Sequence, residues 1–307
     1  MRVLLSLILL VAPLAMQADT PRVATDILPV HALTARVMQG VGSPALIVPP
    51  NASPHGHALR PSEARALDQA DLVIWMGEDL TPWLTAPRSS LAADASTLEL
   101  LQTDGTIRHA FRETVTIEPH DHAHDHSDDH GHSHDHDTLD PHAWLDPQNA
   151  VHWTRLIAER LSALDPQNAA TYAANADAAR DEISNARAEI AALLEPAKSI
   201  RYVVLHDAYQ YFETHFGLAP VGAIKLADAT DPSPSRIAAL RAAVTENAVT
   251  CALAEPQFNT KIIDTVLEGT NAKTVTVDPL GTTVDQGSDF YPKLLTSMAK
   301  AIISCAD

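Results

Sequence analysis

From Asp165-Pro166 to Glu195 the chain is Ala-rich and charged, with no Gly and no further Pro until Pro196. Asp followed by Pro makes a good N-cap and first-turn pair, and about 30 helical residues would extend roughly 45 Å. Ile183, Ala186 and Ile190 recur at three- and four-residue steps, which lays an apolar stripe along one face. A rod of that length exceeds the width of one small domain. It reads either as a rigid connector between two lobes or as a long surface helix of a single domain.

The flanking sequence favours the connector. Before the rod, short apolar runs alternate with amphipathic stretches: residues 23–24 then 29–39; 45–48, stopped by Pro49-Pro50, then 61–69; and 72–76, ended by Gly77. After it the rhythm returns as 202–205 then 208–216, 249–254 then 260–267, and 274–277 then 289–303. Such β/α alternation argues for mostly parallel sheets covered by helices. The expected fold is therefore α/β. Two (β/α) lobes, residues 19–164 and 197–307, are joined by one long rigid helix over 165–196, with no convincing internal sequence repeat. A length of 307 residues suits two domains, and 46% hydrophobic residues suffice for their cores.

Residues 1–18 read as an export signal. Arg2 supplies the positive start, residues 3–14 the apolar stretch, and Ala18 the cleavage position, although Met16 three residues from the cut is larger than usual. Gln17, Asp19 and Arg22 end the run too early for a membrane span, which needs about 20 apolar residues. The expectation is a soluble exported chain, monomeric, starting near Asp19 and without stable membrane insertion. Export favours oxidised thiols, and the two cysteines, Cys251 and Cys305, can form one disulfide or remain two separate buried thiols.

Against 21 Lys+Arg stand 39 Asp+Glu, a net charge of −18, which disfavours a nucleic-acid partner and attracts cations. The chain also holds 16 His. Half of them sit in HDHAHDHSDDHGHSHDH: His120, His122, His124, His126, His130, His132, His134 and His136. Residues 118–140 carry eight carboxylates and no Lys or Arg. This tract cannot bury enough apolar surface to fold, so it is expected to be a disordered loop. Its imidazoles and carboxylates suit Zn, Ni or Cu at several weak sites, the plain alternative being an inert solvated tract. Nothing in it fixes the geometry of a tight site.

A tight site needs ligands on rigid elements. His55 in NASPHGHALRPS follows the second strand; His142 lies in DPHAWLDP before a helix; His206 in YVVLHDAYQYF and Asp278 in TVTVDPLG stand at strand ends. Strand ends and the loops after them are where open α/β sheets gather ligands. Three imidazoles and one carboxylate would suit tetrahedral Zn²⁺. Singly, each His is more often a surface or capping residue, and His31, His109, His152 and His215 keep that reading. Trp144, two residues after His142, would wall the site from water. The loose GxGxxA at Gly40 is rejected as a dinucleotide motif, because a helix precedes it and a strand follows.

Together, NASPHGHALRPSEARALDQADLVIWMGEDL, DPHAWLDP, VVLHDAYQYFETHFGL, AEPQF and VDPLG resemble the ZnuA-type zinc-binding proteins, periplasmic solute-binding components of zinc ABC importers in the metal-binding cluster called A-I. The resemblance spans nearly the whole exported chain. It implies a metal site in the interlobe cleft, with His55, His142, His206 and Asp278 as Zn²⁺ ligands, a Cys251–Cys305 disulfide, and an ABC permease as membrane partner. There are departures. Pro54 stands where some zinc members carry Glu, and His57 replaces an aromatic residue, where it acts as a supporting partner of the site or an alternative ligand. Manganese-preferring relatives tend to place Glu where His206 stands, and an imidazole there leans toward zinc.

The implied function is capture of Zn²⁺, not catalysis. Its rivals are a binding protein for manganese or another divalent metal, a metal buffer using the tract alone, and an exported zinc hydrolase. The hydrolase would need an open metal position and a general base; HExxH is absent, and although Glu255 or Asp207 could be proposed as the base, nothing in their spacing singles them out.

Overall fold

Strands buried on both faces read as unbroken apolar runs rather than alternating ones, and β-strands near the middle of each sheet do so here. In the computed structural model, which describes residues 20–112, 139–225 and 232–306, Leu72–Trp75 and Tyr202–His206 are buried at every position. The leader over 1–18 and the histidine tract over 120–136 lie outside the described residues.

The first lobe runs β1 (Val23–Thr25), α1 (Leu28–Val37), β2 (Ala45–Leu46), α2 (Pro61–Asp68), β3 (Leu72–Trp75), α3 (Thr85–Leu91), β4 (Ser96–Glu99) and α4 (Pro147–Leu164). The connector is α5 (Ala169–Leu194). The second lobe runs β5 (Tyr202–His206), α6 (Gln210–Phe216), β6 (Gly222–Lys225), α7 (Pro234–Glu246), β7 (Cys251–Ala254), α8 (Lys261–Leu267), β8 (Lys273–Thr276) and α9 (Phe290–Ile303). Among the described residues the strands form two four-stranded sheets, ordered β2-β1-β3-β4 and β6-β5-β7-β8, and every pairing is parallel. The two orders are the same. The register repeats as well: Val23 faces Leu72 as Tyr202 faces Cys251.

The connecting helix starts later than its Asp-Pro signal suggests. Pro166–Asn168 form a 3-10 turn, and regular α-helix begins at Ala169. The Asp165 carboxylate accepts from Asn168 Nδ2 at 2.6 Å and from the Tyr172 hydroxyl at 2.9 Å. The 26 residues of α5 span about 39 Å. Tyr172, Ala176, Ala179, Ile183, Ala186, Ile190 and Leu194 form its buried stripe. That stripe packs on α1 and α4 of the first lobe and on α9 of the second. The rod is thus a shared wall, and one hydrophobic cluster runs from Val23 through α5 to Cys305.

Cys251 of β7 and Cys305, just beyond α9, are joined as a disulfide with both residues buried. The link closes a 54-residue separation and pins the C-terminal helix to a central strand. Replacing both cysteines by Ala is expected to cost about 4 kcal/mol, by the loop-closure account. Urea unfolding of the double variant checks this, and a loss below about 1 kcal/mol contradicts it.

Candidate metal centre

Each of the three histidines is placed by a different local device. His206 is the last residue of β5, a strand flanked by β6 and β7, so the backbone ladder fixes its position. His142 sits where the chain turns into a 3-10 segment ahead of α4. Asp140 holds it twice, accepting from its backbone N–H at 3.0 Å and bonding ring Nδ1 at 2.7 Å. His55 lies in the loop after β2. Its backbone N–H donates to Ser53 Oγ at 3.3 Å, and the Trp83 indole clamps the preceding Pro54 carbonyl at 2.7 Å.

The rings converge although His55 and His206 stand far apart in sequence. Ring centroids are 5.4 Å apart for His55–His142, 5.7 Å for His55–His206 and 4.9 Å for His142–His206. One nitrogen from each lies within 4.8 Å of the others. Zinc–imidazole bonds of about 2.0–2.1 Å put tetrahedral nitrogens about 3.4 Å apart, so this spacing can close on one ion. Glu255, just past β7, bonds His206 Nδ1 at 3.2 Å. With Asp140 and Glu255 each engaging an Nδ1, the proton belongs there and Nε2 carries the lone pair a metal needs. Burial pushes the Asp140 carboxyl up to about 7, against the opposing backbone bond from His142.

Asp278, expected as the fourth ligand, does not join this group among the described residues. Its carboxylate is consumed by its own turn. Oδ1 accepts from the backbone N–H groups of Leu280 at 3.2 Å and Gly281 at 2.9 Å. Oδ2 accepts from Thr282 Oγ1 at 2.8 Å and the Thr283 N–H at 3.1 Å. Gly281 makes the turn possible: its φ is +71°, and a Cβ there would lie 2.6 Å from the Phe290 ring. His57 also stands apart from the triad. It bonds Glu63 of α2 at 2.8 Å and meets the Trp83 ring edge-on at 5.3 Å, so it fastens the loop carrying His55.

The triad opens on a cavity of about 20 Å³, a space on the scale of a single water or ion and far too small for an organic substrate. Trp144, Phe258, Pro279 and Leu280 wall it, with Glu255 and Gln257 as polar neighbours. The Trp144 indole donates to the Pro279 carbonyl across the cleft at 2.9 Å, and the Tyr291 hydroxyl donates to the Trp144 carbonyl at 2.6 Å. The expected wall is thus also a bridge between lobes. The remaining described histidines serve elsewhere: His31 bonds the Pro44 carbonyl, His152 the Asp104 carbonyl, His215 the Asp146 carboxylate, and His109 packs on Tyr211. Sequence reading passed over Asp140 and weighed Glu255 only as a base. Their signal was position, two residues before His142 and immediately after an apolar strand.

A buried ion group lies beside the site. Arg112 donates in a fork to Asp207, next to His206, and to Glu213 of α6 at 2.8 Å. Asp207 and Glu213 are almost fully buried. Burial pushes Glu213 up to about 7 despite the guanidinium. Removing the cation from such a group costs about 3–5 kcal/mol, and Arg112→Leu is expected to lose that much at pH 8. A raised carboxyl contributes stability that is present below its unfolded value and lost as pH rises through the folded one. The variant should therefore recover part of its deficit at pH 5, which paired urea titrations read; an equal deficit at both pH values would exclude this origin.

Comparison with known proteins covers the same length of chain. The family model described as "Zinc-uptake complex component A periplasmic" (ZnuA) matches residues 23–305. The high-affinity zinc uptake system protein ZnuA of Paracoccus denitrificans (strain Pd 1222) is 41% identical, covering 96% of this chain and 94% of that protein. Its namesake in Brucella abortus (strain 2308) is 36% identical over 92% and 91%. A crystal structure of ZnuA superposes with a TM-score of 0.73 at 21% identity, over 92% of this chain and 99% of the other.

Proposed function

The chain belongs to the family of periplasmic zinc-uptake component A proteins, and on that premise we propose that it captures Zn²⁺ between its lobes and delivers it to the permease of an ABC importer. His55, His142 and His206 are the ligands. One observation carries this reading: three imidazoles from three separate loops and strand ends meet at a cavity of about 20 Å³. A nitrogen-only set favours later divalent metals over manganese. The size of the cavity argues against the hydrolase, which must admit a substrate beside the metal.

Three neutral imidazoles leave the bound ion its full charge, since Asp278 is occupied in its own turn. Asp278 instead braces the loop that presents Pro279 and Leu280 to the cavity. The mature chain begins near Asp19 and acts as a monomer. The tract over 120–136 is an auxiliary collector that raises zinc concentration near the cleft. Imidazoles must be neutral to bind metal, so affinity falls as pH drops through the histidine range.

Calorimetry on protein lacking residues 120–136, with zinc competed by manganese, cobalt, nickel and copper, tests the site. One tight zinc site is expected, weakening steadily between about pH 7 and pH 5. His142→Ala and His206→Ala should each abolish it. A tight site that survives both substitutions would overturn the proposal, as would turnover of ester, peptide or phosphate substrates. Zinc uptake at limiting metal, compared with and without the tract, tests its collecting role; unchanged uptake removes that role.

A further inference from the structure

Tetrahedral zinc takes four ligands, and the triad supplies three. The carboxylates near the cavity are committed. Asp278 is bonded through both oxygens inside its turn. Glu255 serves His206 Nδ1. Glu63 is bonded to His57 and to the Arg60 backbone N–H. Gln257 differs from all of these. It lines the same cavity as the three histidines, and both its amide oxygen and its amide nitrogen are buried with no hydrogen-bond partner among the described residues.

A buried polar atom left unmet costs about 1–3 kcal/mol, so a side chain with two such atoms points to something it binds. Its backbone is held in place. Pro256 precedes it, the Phe258 N–H donates to the Glu255 carbonyl at 3.2 Å, and the Phe258 ring stands edge-on to His206 at 5.6 Å. The amide is therefore delivered to the cavity by a turn anchored to two residues of the site.

Building on the zinc-capture reading, we infer that Gln257 is a positioning residue that holds a water-derived oxygen in the fourth position on the metal. An amide suits this task because it can accept through Oε1 from a bound water or donate through Nε2 to a bound hydroxide. Being neutral, it fixes that oxygen without adding charge, and the fourth ligand stays exchangeable with solvent.

The test uses the full exported chain in three forms: native, Gln257→Leu, and a control with His142→Ala and His206→Ala that keeps only the tract. Three quantities are read: the unfolding midpoint of metal-free protein, zinc affinity at one equivalent against a chelator, and the visible absorption of one equivalent of Co²⁺. Leu removes the unmet amide, so the metal-free midpoint should stay level or rise. Zinc affinity should fall 10–100-fold, the usual cost of losing a group that supports a ligand, and the cobalt bands should shift as the fourth ligand changes. A lower metal-free midpoint would assign Gln257 to structure and overturn the inference. Native cobalt bands in the variant, or zinc affinity within threefold of native, would overturn it too. If instead the native chain binds no more tightly than the control, it is the zinc-capture reading that fails.

Discussion

The centre of this molecule depends on holding two lobes at one fixed spacing. No local spacing could assemble His55, His142 and His206, because they arrive from a loop, a turn before a helix, and a strand end. Their meeting is a tertiary fact, secured by packing along α5 and by bonds that cross the cleft: Trp144 to the Pro279 carbonyl, Tyr291 to the Trp144 carbonyl, Tyr211 to the Asp140 carbonyl, and Arg112 to Asp207 and Glu213. Several of these end within two residues of a triad histidine. The framework that joins the lobes and the framework that aims the imidazoles are therefore largely the same set of contacts.

Preorganisation explains the second ring of groups. An imidazole free to rotate would lose entropy on binding metal. Asp140 and Glu255 remove that freedom beforehand and select the tautomer. Trp83 and Glu63 do the equivalent for the loop of His55, acting on Pro54 and His57. Keeping these charges and rings buried has a cost, visible in the raised carboxyls of Asp140 and Glu213. The apolar walls around the site lower the local dielectric and strengthen each of these bonds.

Much of the fold was legible because its signals are local. The α5 stripe through Ile183, Ala186 and Ile190 follows from helical periodicity alone, and fully buried β3 and β5 announce themselves as apolar runs. The strands that reading missed lack such a signal: Ser96–Glu99 holds one aliphatic residue, and Gly222–Lys225 begins with glycine and ends with lysine. Repetition between the lobes was invisible for a related reason. What repeats is strand order and backbone pairing, which constrain side chains only to be small or apolar. The three histidines were found through the motifs around them, whereas Asp278 is bonded within its own turn, and in the sequence a carboxylate at a strand end looks the same whether it faces a metal or folds back on its own turn.

The stiffness of α5 also sets how this protein can move. Sharp bends in helices arise at proline, glycine pairs or bulges, and Ala169–Leu194 contains neither proline nor glycine. Its stripe is bound to both lobes along its length, so the halves share a beam instead of swinging on a hinge. Large-amplitude opening would have to bend that beam or strip it from α1, α4 or α9. The motion available at the cleft is correspondingly one of small local displacements of the loops around it. Release of the cargo then becomes a matter of how firmly a docking partner can pull on those loops, with the rod as the fixed point against which it pulls.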